Sequence, residues 1–131
     1  MTWRGWLLVF GFAMLALGTT AYWAVIYLYL DPAAWFSRFP YVSPVADLWM
    51  AGTGLVALVG LLGQRPFARV AAHLSAGACV FIGLTAFHYN LRTGQLFAGT
   101  VEQRFEIAIP AALLLLGLLT PWLLRGAGRA S

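Results

Sequence analysis

Four long apolar stretches constrain the fold of this chain more than any other feature of its sequence. They cover residues 6–30, 44–63, 66–91 and 101–124. Each has about 20 residues or more, which as a helix rising 1.5 Å per residue is enough to cross a hydrocarbon core about 30 Å thick. The sequence therefore predicts an all-α polytopic membrane protein, a single domain over residues 1–131 formed by an antiparallel bundle of four transmembrane helices.

Composition excludes a soluble domain. Hydrophobic residues make up 62% of the chain and charged residues only 9%, whereas soluble domains are about half apolar and about a quarter charged. A water-soluble fold would have too little polar surface to cover so many apolar side chains. The single cysteine, Cys79, lies within an apolar stretch and is predicted to be a small buried packing residue, because one cysteine cannot form an internal disulfide.

Charge predicts the orientation in the membrane. All eight basic residues are arginines, and they lie near the ends of the apolar stretches rather than in the basic patch that a nucleic-acid partner would require. One side of the predicted bundle carries five of them and the other side three; the five are Arg4, Arg65, Arg69, Arg125 and Arg129, and the three are Arg38, Arg92 and Arg104. The positive-inside rule then places both termini in the cytoplasm.

Proline, capping residues and glycine mark the ends of the predicted helices. Asp31-Pro32 ends the first, because the residue before a proline is disfavoured in the α region. Ser43-Pro44 is an N-cap followed by proline at the first helical position, and residues 100–103 have capping-box spacing. Residues 63–66 form a tight connection, and residues 32–43 are predicted to lie along the outer interface as a short amphipathic turn.

Small residues at helical spacing predict which faces pack together, since they allow close helix contacts in membranes. The clearest stripe is on the third helix: Ala72, Ala76, Cys79, Gly83, Ala86 and Asn90. The predicted inward faces of the other helices are Gly11, Gly18, Tyr22, Val25 and Tyr29 on the first, Asp47, Ala51, Gly54 and Leu58 on the second, and Glu102, Glu106, Leu113, Gly117 and Thr120 on the fourth.

Each of these faces carries its polar groups towards the outer end. The sequence therefore predicts a polar ligand-binding pocket there, formed by Tyr22, Tyr29, Asp47, Asn90 and Glu106. Structural roles remain open beside this one. Asp47 can interact favourably with the dipole of the first turn of its helix, and Glu106 can pair with an arginine.

Two histidines on the third helix suggest a cofactor as an alternative. His73 and His88 are about 22 Å apart along the helix axis, a spacing that resembles the histidine pairs of b-type membrane cytochromes. Only one helix carries such a pair, so haem b would require a homodimer or a partner subunit. A metal centre of Asp47, His88 and Glu106 lacks a short-range ligand motif, and no cofactor is predicted. His88 lies opposite the small-residue stripe, so contact with interfacial water remains the simpler interpretation.

Several short motifs resemble a family of uncharacterised small bacterial four-helix membrane proteins of unknown function. They are Tyr22-Trp23, Asp47-Leu48, Thr53-Gly54-Leu55, Gly83-Leu84 and Arg92-Thr93-Gly94. The resemblance implies a four-helix bundle and an integral membrane location, and it carries no activity. The chain lacks the acid in helix 1 that small multidrug-resistance carriers have, and the paired cysteines of vitamin K epoxide reductase-like enzymes.

Three functions follow as hypotheses. Short loops and the absence of nucleophile or phosphate-binding motifs favour a non-catalytic accessory subunit of a larger membrane complex, respiratory or photosynthetic, with lipids and other subunits or a second copy as partners. The second hypothesis is an autonomous binder or carrier of a small cationic or amphipathic molecule at the outer acidic pocket. The third is a redox protein that uses the histidines. Much alanine, glycine and leucine, with arginine but no lysine, suggests a GC-rich bacterium and its inner membrane.

Overall fold

All regular structure in the described part of the chain is helical. The computed structural model describes residues 1–40, 43–94, 99 and 101–127, and at 102, 103, 106 and 127 it describes the backbone only. Its helices are α1 (Trp3–Tyr29), α2 (Pro32–Arg38), α3 (Pro44–Leu62), α4 (Phe67–Arg92) and α5 (Val101–Ala127).

Four of these helices are long and apolar enough to cross a membrane: α1, α3, α4 and the segment Ile107–Gly126 of α5. The ends of the four whole helices, α5 included, lie within three residues of the limits of the four apolar stretches. The prediction of an all-helical chain with four candidate spans is therefore confirmed.

The start of α3 has the N-cap that the sequence predicts, and the end of α1 lies where Asp31-Pro32 predicts it. Ser43 Oγ accepts a hydrogen bond from the Ala46 backbone N–H (3.3 Å), and Pro44 opens α3. After α1 ends, Asp31 Oδ1 accepts a hydrogen bond from the Ala33 backbone N–H (3.1 Å) and starts a new helix, α2. The connection over residues 32–43 therefore contains a seven-residue helix where a turn was predicted. The predicted capping box at 100–103 lies outside the described residues and side chains.

The small-residue stripe of α4 forms the centre of the packing. All six residues of that predicted stripe are buried, including Cys79. The long helices pack in cyclic order, with α1 and α4 each contacting both α3 and α5. Glycines allow the closest approaches: a Cβ at Gly117 of α5 would lie 2.7 Å from the carbonyl oxygen of Ala76 in α4.

The predicted inward face of α1 is correct only in part. A Cβ at Gly11 would lie 2.7 Å from Leu116 Cδ1 of α5, and Gly18 and Tyr22 line a cavity between the long helices, whereas Val25 and Tyr29 are 45% and 80% exposed. The buried residues of α1 are Gly5, Leu8, Phe12, Leu15 and Ile26, and none of them belongs to the predicted face. The prediction took small residues on α1 as the contact face. In the structure, small residues of a partner helix also receive large side chains of α1. A Cβ at Gly54 of α3, for example, would lie 3.2 Å from Leu15 Cδ2 and 3.4 Å from Phe12 Cδ1.

Candidate ligand-binding cavity

A cavity of about 630 Å³ lies between the four long helices. Ligand pockets in proteins commonly measure about 300–1,000 Å³. On α1 its wall runs from Gly11 to Tyr22, which at 1.5 Å per residue is about 16 Å along the helix. The other helices contribute walls that include Ala46, Met50, Ile82, Ala86, Pro110 and Leu113. The cavity is therefore elongated along the bundle and mostly apolar.

The polar wall groups concentrate towards one end of this cavity, where α1 ends and α3 begins. They include Asp47 and Ser43 from the start of α3 and Tyr22 near the end of α1, and Thr19 and Thr85 also line the cavity. The opposite end is formed by Gly11 and Leu116, which carry no polar side-chain atoms. An elongated molecule with one polar end and one apolar end matches this distribution.

Asp47 is held in place by an indole from another helix. Trp23 Nε1 on α1 donates a hydrogen bond to Asp47 Oδ2 (2.9 Å). The Trp23 ring is itself packed between the rings of Tyr27 and Phe36, at centroid distances of 5.9 and 5.8 Å. Asp47 also lies in the first turn of α3, where the helix dipole favours a negative charge. The carboxylate is thus half-buried and oriented at the cavity wall.

Helix α2 lies against the polar end of the cavity and connects two of the long helices there. Trp35 Nε1 of α2 donates a hydrogen bond to the hydroxyl oxygen of Tyr22 on α1 (2.9 Å). At its other end, the Arg38 carbonyl accepts a hydrogen bond from the Tyr89 hydroxyl of α4 (3.3 Å). Phe39, which follows α2, is fully buried. These contacts hold α2 across this end of the molecule.

The side of the cavity reaches the outer surface of the helices. Two of its wall residues, Met14 on α1 and Phe81 on α4, are 52% and 70% exposed. Because these residues lie in the middle of helices that are apolar enough to span a membrane, this surface faces hydrocarbon in a bilayer.

The structure brings together two of the five residues that were predicted to form the outer pocket. Tyr22 and Asp47 line the cavity. Asn90 is fully buried on α4 and is not one of the lining residues, and Tyr29 is 80% exposed in the last turn of α1. Tyr29 lies apart because the buried face of α1 differs from the predicted one. The side chain of Glu106 lies outside the described part of the structure.

Sequence reasoning missed Trp23, which positions Asp47, and the large residues of the apolar walls, whereas Gly11, Gly18, Ala86 and Leu113 of those walls belong to predicted inward faces. Trp23 is a neighbour of the predicted Tyr22, but its bond to Asp47 joins residues 24 apart in the chain. No local pattern indicates such a contact. Ser43 was predicted as a helix cap, which it is, and it also lines the cavity.

The two histidines lie on the exposed surface of α4. His88 shares that surface with Leu74, Phe81 and Leu84, as the sequence predicts. His73 Nδ1 is 2.7 Å from the Arg69 carbonyl oxygen, and since a carbonyl can only accept, Nδ1 is the protonated nitrogen. Among the side chains that the structure describes, no three His, Cys, Asp or Glu residues lie close enough together to hold a metal ion.

No protein-family model, curated protein or solved structure matches this chain, so the resemblance to a family of small four-helix membrane proteins gains no support and the function is argued from the cavity alone.

Proposed function

We propose that the protein binds a small amphipathic molecule with a cationic head group in the cavity between its four long helices. The observation that carries the proposal is the position of Asp47, a carboxylate at the polar end of an otherwise largely apolar cavity of about 630 Å³. This is the second of the hypotheses that the sequence raises. The cavity gives it a specific location, which an accessory subunit would not need.

The chemistry of the walls favours this class of ligand. A carboxylate in a water-poor environment attracts a cation more strongly than it does in bulk water. The hydroxyl groups of Tyr22 and Ser43 lie at the same end and can accept or donate hydrogen bonds. The wall of about 16 Å along α1 can bury an alkyl tail, which gains free energy in proportion to the apolar area removed from water.

The proposal includes an orientation in the membrane. We infer an antiparallel bundle with both termini in the cytoplasm of a bacterium and the cavity's polar end near the outer face of the inner membrane. Five arginines against three support this orientation. In it, the polar end of the cavity lies in the outer leaflet, and ligands enter from the bilayer.

The test is binding of dodecyltrimethylammonium to the protein in phosphatidylcholine nanodiscs, measured by isothermal titration calorimetry. We expect Asp47→Asn to weaken binding about tenfold, a loss of about 1.4 kcal/mol of charge attraction. Folding should survive this change, because an asparagine oxygen can still accept the hydrogen bond from Trp23 Nε1. Equal affinity of the wild type and this variant would refute a role for the carboxylate.

A second variant tests the cavity itself. A Cβ at Gly18, which lines the cavity, would meet no atom within 4 Å, so Gly18→Leu starts a bulky side chain in open space at the cavity wall. We expect this variant to abolish binding. The matched control is Gly77→Leu on α4, which is equally free of neighbours and does not line the cavity. The control should bind like the wild type, and parallel losses in both variants would contradict binding inside the cavity.

The exposed surface of α4 favours a second candidate function, a subunit of a larger membrane complex. His73 and His88 are both exposed on this span together with Gly77. Polar side chains are costly against lipid, and a bare glycine allows another helix to approach closely. A second copy or another subunit would cover these residues. If two such histidine pairs held haem b between them, the assembly would be a redox complex.

Native mass spectrometry and an absorption spectrum of the protein, gently extracted from its own membrane, test this second candidate. A large assembly supports the subunit role, and a Soret band supports haem. A colourless monomer contradicts both.

A further inference from the structure

A cluster of arginines lies at the end of the molecule opposite the polar end of the cavity. We call Arg4, Arg69 and Arg125 the arginine cluster, because each belongs to or contacts the last turn of α5. Arg69 Nη2 donates a hydrogen bond to the Leu124 carbonyl oxygen (3.0 Å), which is one of the last four carbonyls of α5. Arg125 is exposed in the same turn.

Two indole rings hold Arg4 in position. Its Cζ atom is 4.3 Å from the ring centroid of Trp122 on α5 and 5.4 Å from that of Trp3. The two rings pack edge to face with centroids 6.3 Å apart. On the same turn, a Cβ at Gly126 would collide with the Arg4 side chain, so glycine makes room for the guanidinium. Arg4 is therefore ordered by its surroundings rather than extended freely into solvent.

The charge of the cluster is not compensated by acidic side chains nearby. Within the described residues, no carboxylate pairs with these three arginines. All four acidic residues are near the other ends of their helices or in the connections there: Asp31, Asp47, Glu102 and Glu106. Along α5, Glu106 and Arg125 are about 28 Å apart. The three guanidinium groups are therefore available to an anion from outside this part of the chain.

We propose that the arginine cluster binds the phosphate group of an anionic membrane lipid. Trp3 and Trp122 are the residue type that marks the interface between hydrocarbon and head groups, so the cluster lies at the depth of lipid phosphates. A guanidinium has five N–H donors, and the bond to Leu124 uses one of those on Arg69. Guanidinium groups bind phosphate oxygens in pairs of parallel hydrogen bonds. This site is separate from the cavity and does not depend on its ligand.

The test is native mass spectrometry of the protein equilibrated with equal amounts of phosphatidylglycerol and phosphatidylcholine of the same acyl chains. We expect phosphatidylglycerol adducts to predominate on the wild type. Arg4→Gln and Arg69→Gln should each lower that preference roughly fivefold, the factor per arginine expected near an anionic surface. The matched control is Arg92→Gln at the other end of α4, which should leave the preference unchanged.

One further variant separates geometry from charge. Gly126→Ala keeps every arginine but forces the Arg4 side chain to move. We expect it to lower the lipid preference towards that of Arg4→Gln, and an unchanged preference would overturn the built site. Equal adducts of both lipids on the wild type would overturn lipid binding altogether. Complete displacement of phosphatidylglycerol by an equal concentration of inorganic phosphate would assign the cluster to a free anion and overturn the lipid as its ligand.

Discussion

At the scale of single residues, the proposed function depends on Asp47 and on the indole that orients it. The sequence indicates Asp47 because an acid within an apolar stretch is unusual. The sequence does not indicate Trp23 as its partner, because that contact depends on how α1 and α3 pack. The same limit explains Tyr29, which shares a helical face with Tyr22 in the sequence and yet is 80% exposed.

Loss of the Trp23 indole tests this contact. Trp23→Phe keeps an aromatic ring beside Tyr27 and Phe36 but removes the donor to Asp47 Oδ2. We expect the free energy of unfolding to fall by about 1 kcal/mol, the usual value of such a bond in a membrane protein. Denaturant titration in mixed micelles measures it. Trp49→Phe, at a position that is 57% exposed, is the control and should change stability less.

At the scale of helices, the lengths of the apolar stretches and the proline and capping residues at their ends predict the spans. The small-residue stripe predicts the buried face of α4. The large residues of α1 that pack against α3 were not predicted, because the rule that small residues face inward applies to one side of a contact only. Large residues on α1 fill the space beside Gly54 on α3. A single sequence does not say which helix supplies the small side of each contact.

Two glycine substitutions of identical chemistry test the close contact between α4 and α5. Gly117→Ala places a Cβ 2.7 Å from the Ala76 carbonyl oxygen, so the two helices must separate. We expect a loss of about 1–3 kcal/mol in the free energy of unfolding. Gly77→Ala meets no atom within 4 Å and should be neutral or stabilising, since alanine favours helix. Equal effects of the two substitutions would show that the close contact between α4 and α5 contributes nothing to the free energy of unfolding.

At the scale of the whole molecule, the cavity and the arginine cluster lie towards opposite ends. The sequence already indicates this polarity, because all four acids lie near the outer ends of the predicted spans while most arginines lie near the inner ends. It does not contain the cavity. A cavity is a space left by four packed helices, and its size depends on crossing geometry that residue periodicity does not specify.

Reporter fusions test the proposed orientation. A green fluorescent protein fused after Ser131 should fluoresce, because it folds in the cytoplasm, and alkaline phosphatase fused after Gly94 should be active, because it folds outside. The positive-inside rule supplies the physical reason. If alkaline phosphatase is active after Ser131 and green fluorescent protein is not fluorescent there, the bundle has the opposite orientation. The cavity's polar end then faces the cytoplasm.

Photo-crosslinking can show directly whether an amphipathic cation occupies the cavity. The probe is dodecyltrimethylammonium with a diazirine in its alkyl chain, added to the protein in nanodiscs, with adducts mapped by peptide mass spectrometry. We expect adducts on Leu15, Met50 and Leu113, which line the cavity and are at most 9% exposed, and we expect these adducts to be lost in Gly18→Leu. Adducts confined to lipid-facing residues such as Phe10 and Leu17, which are 64% and 66% exposed, would contradict occupation of the cavity.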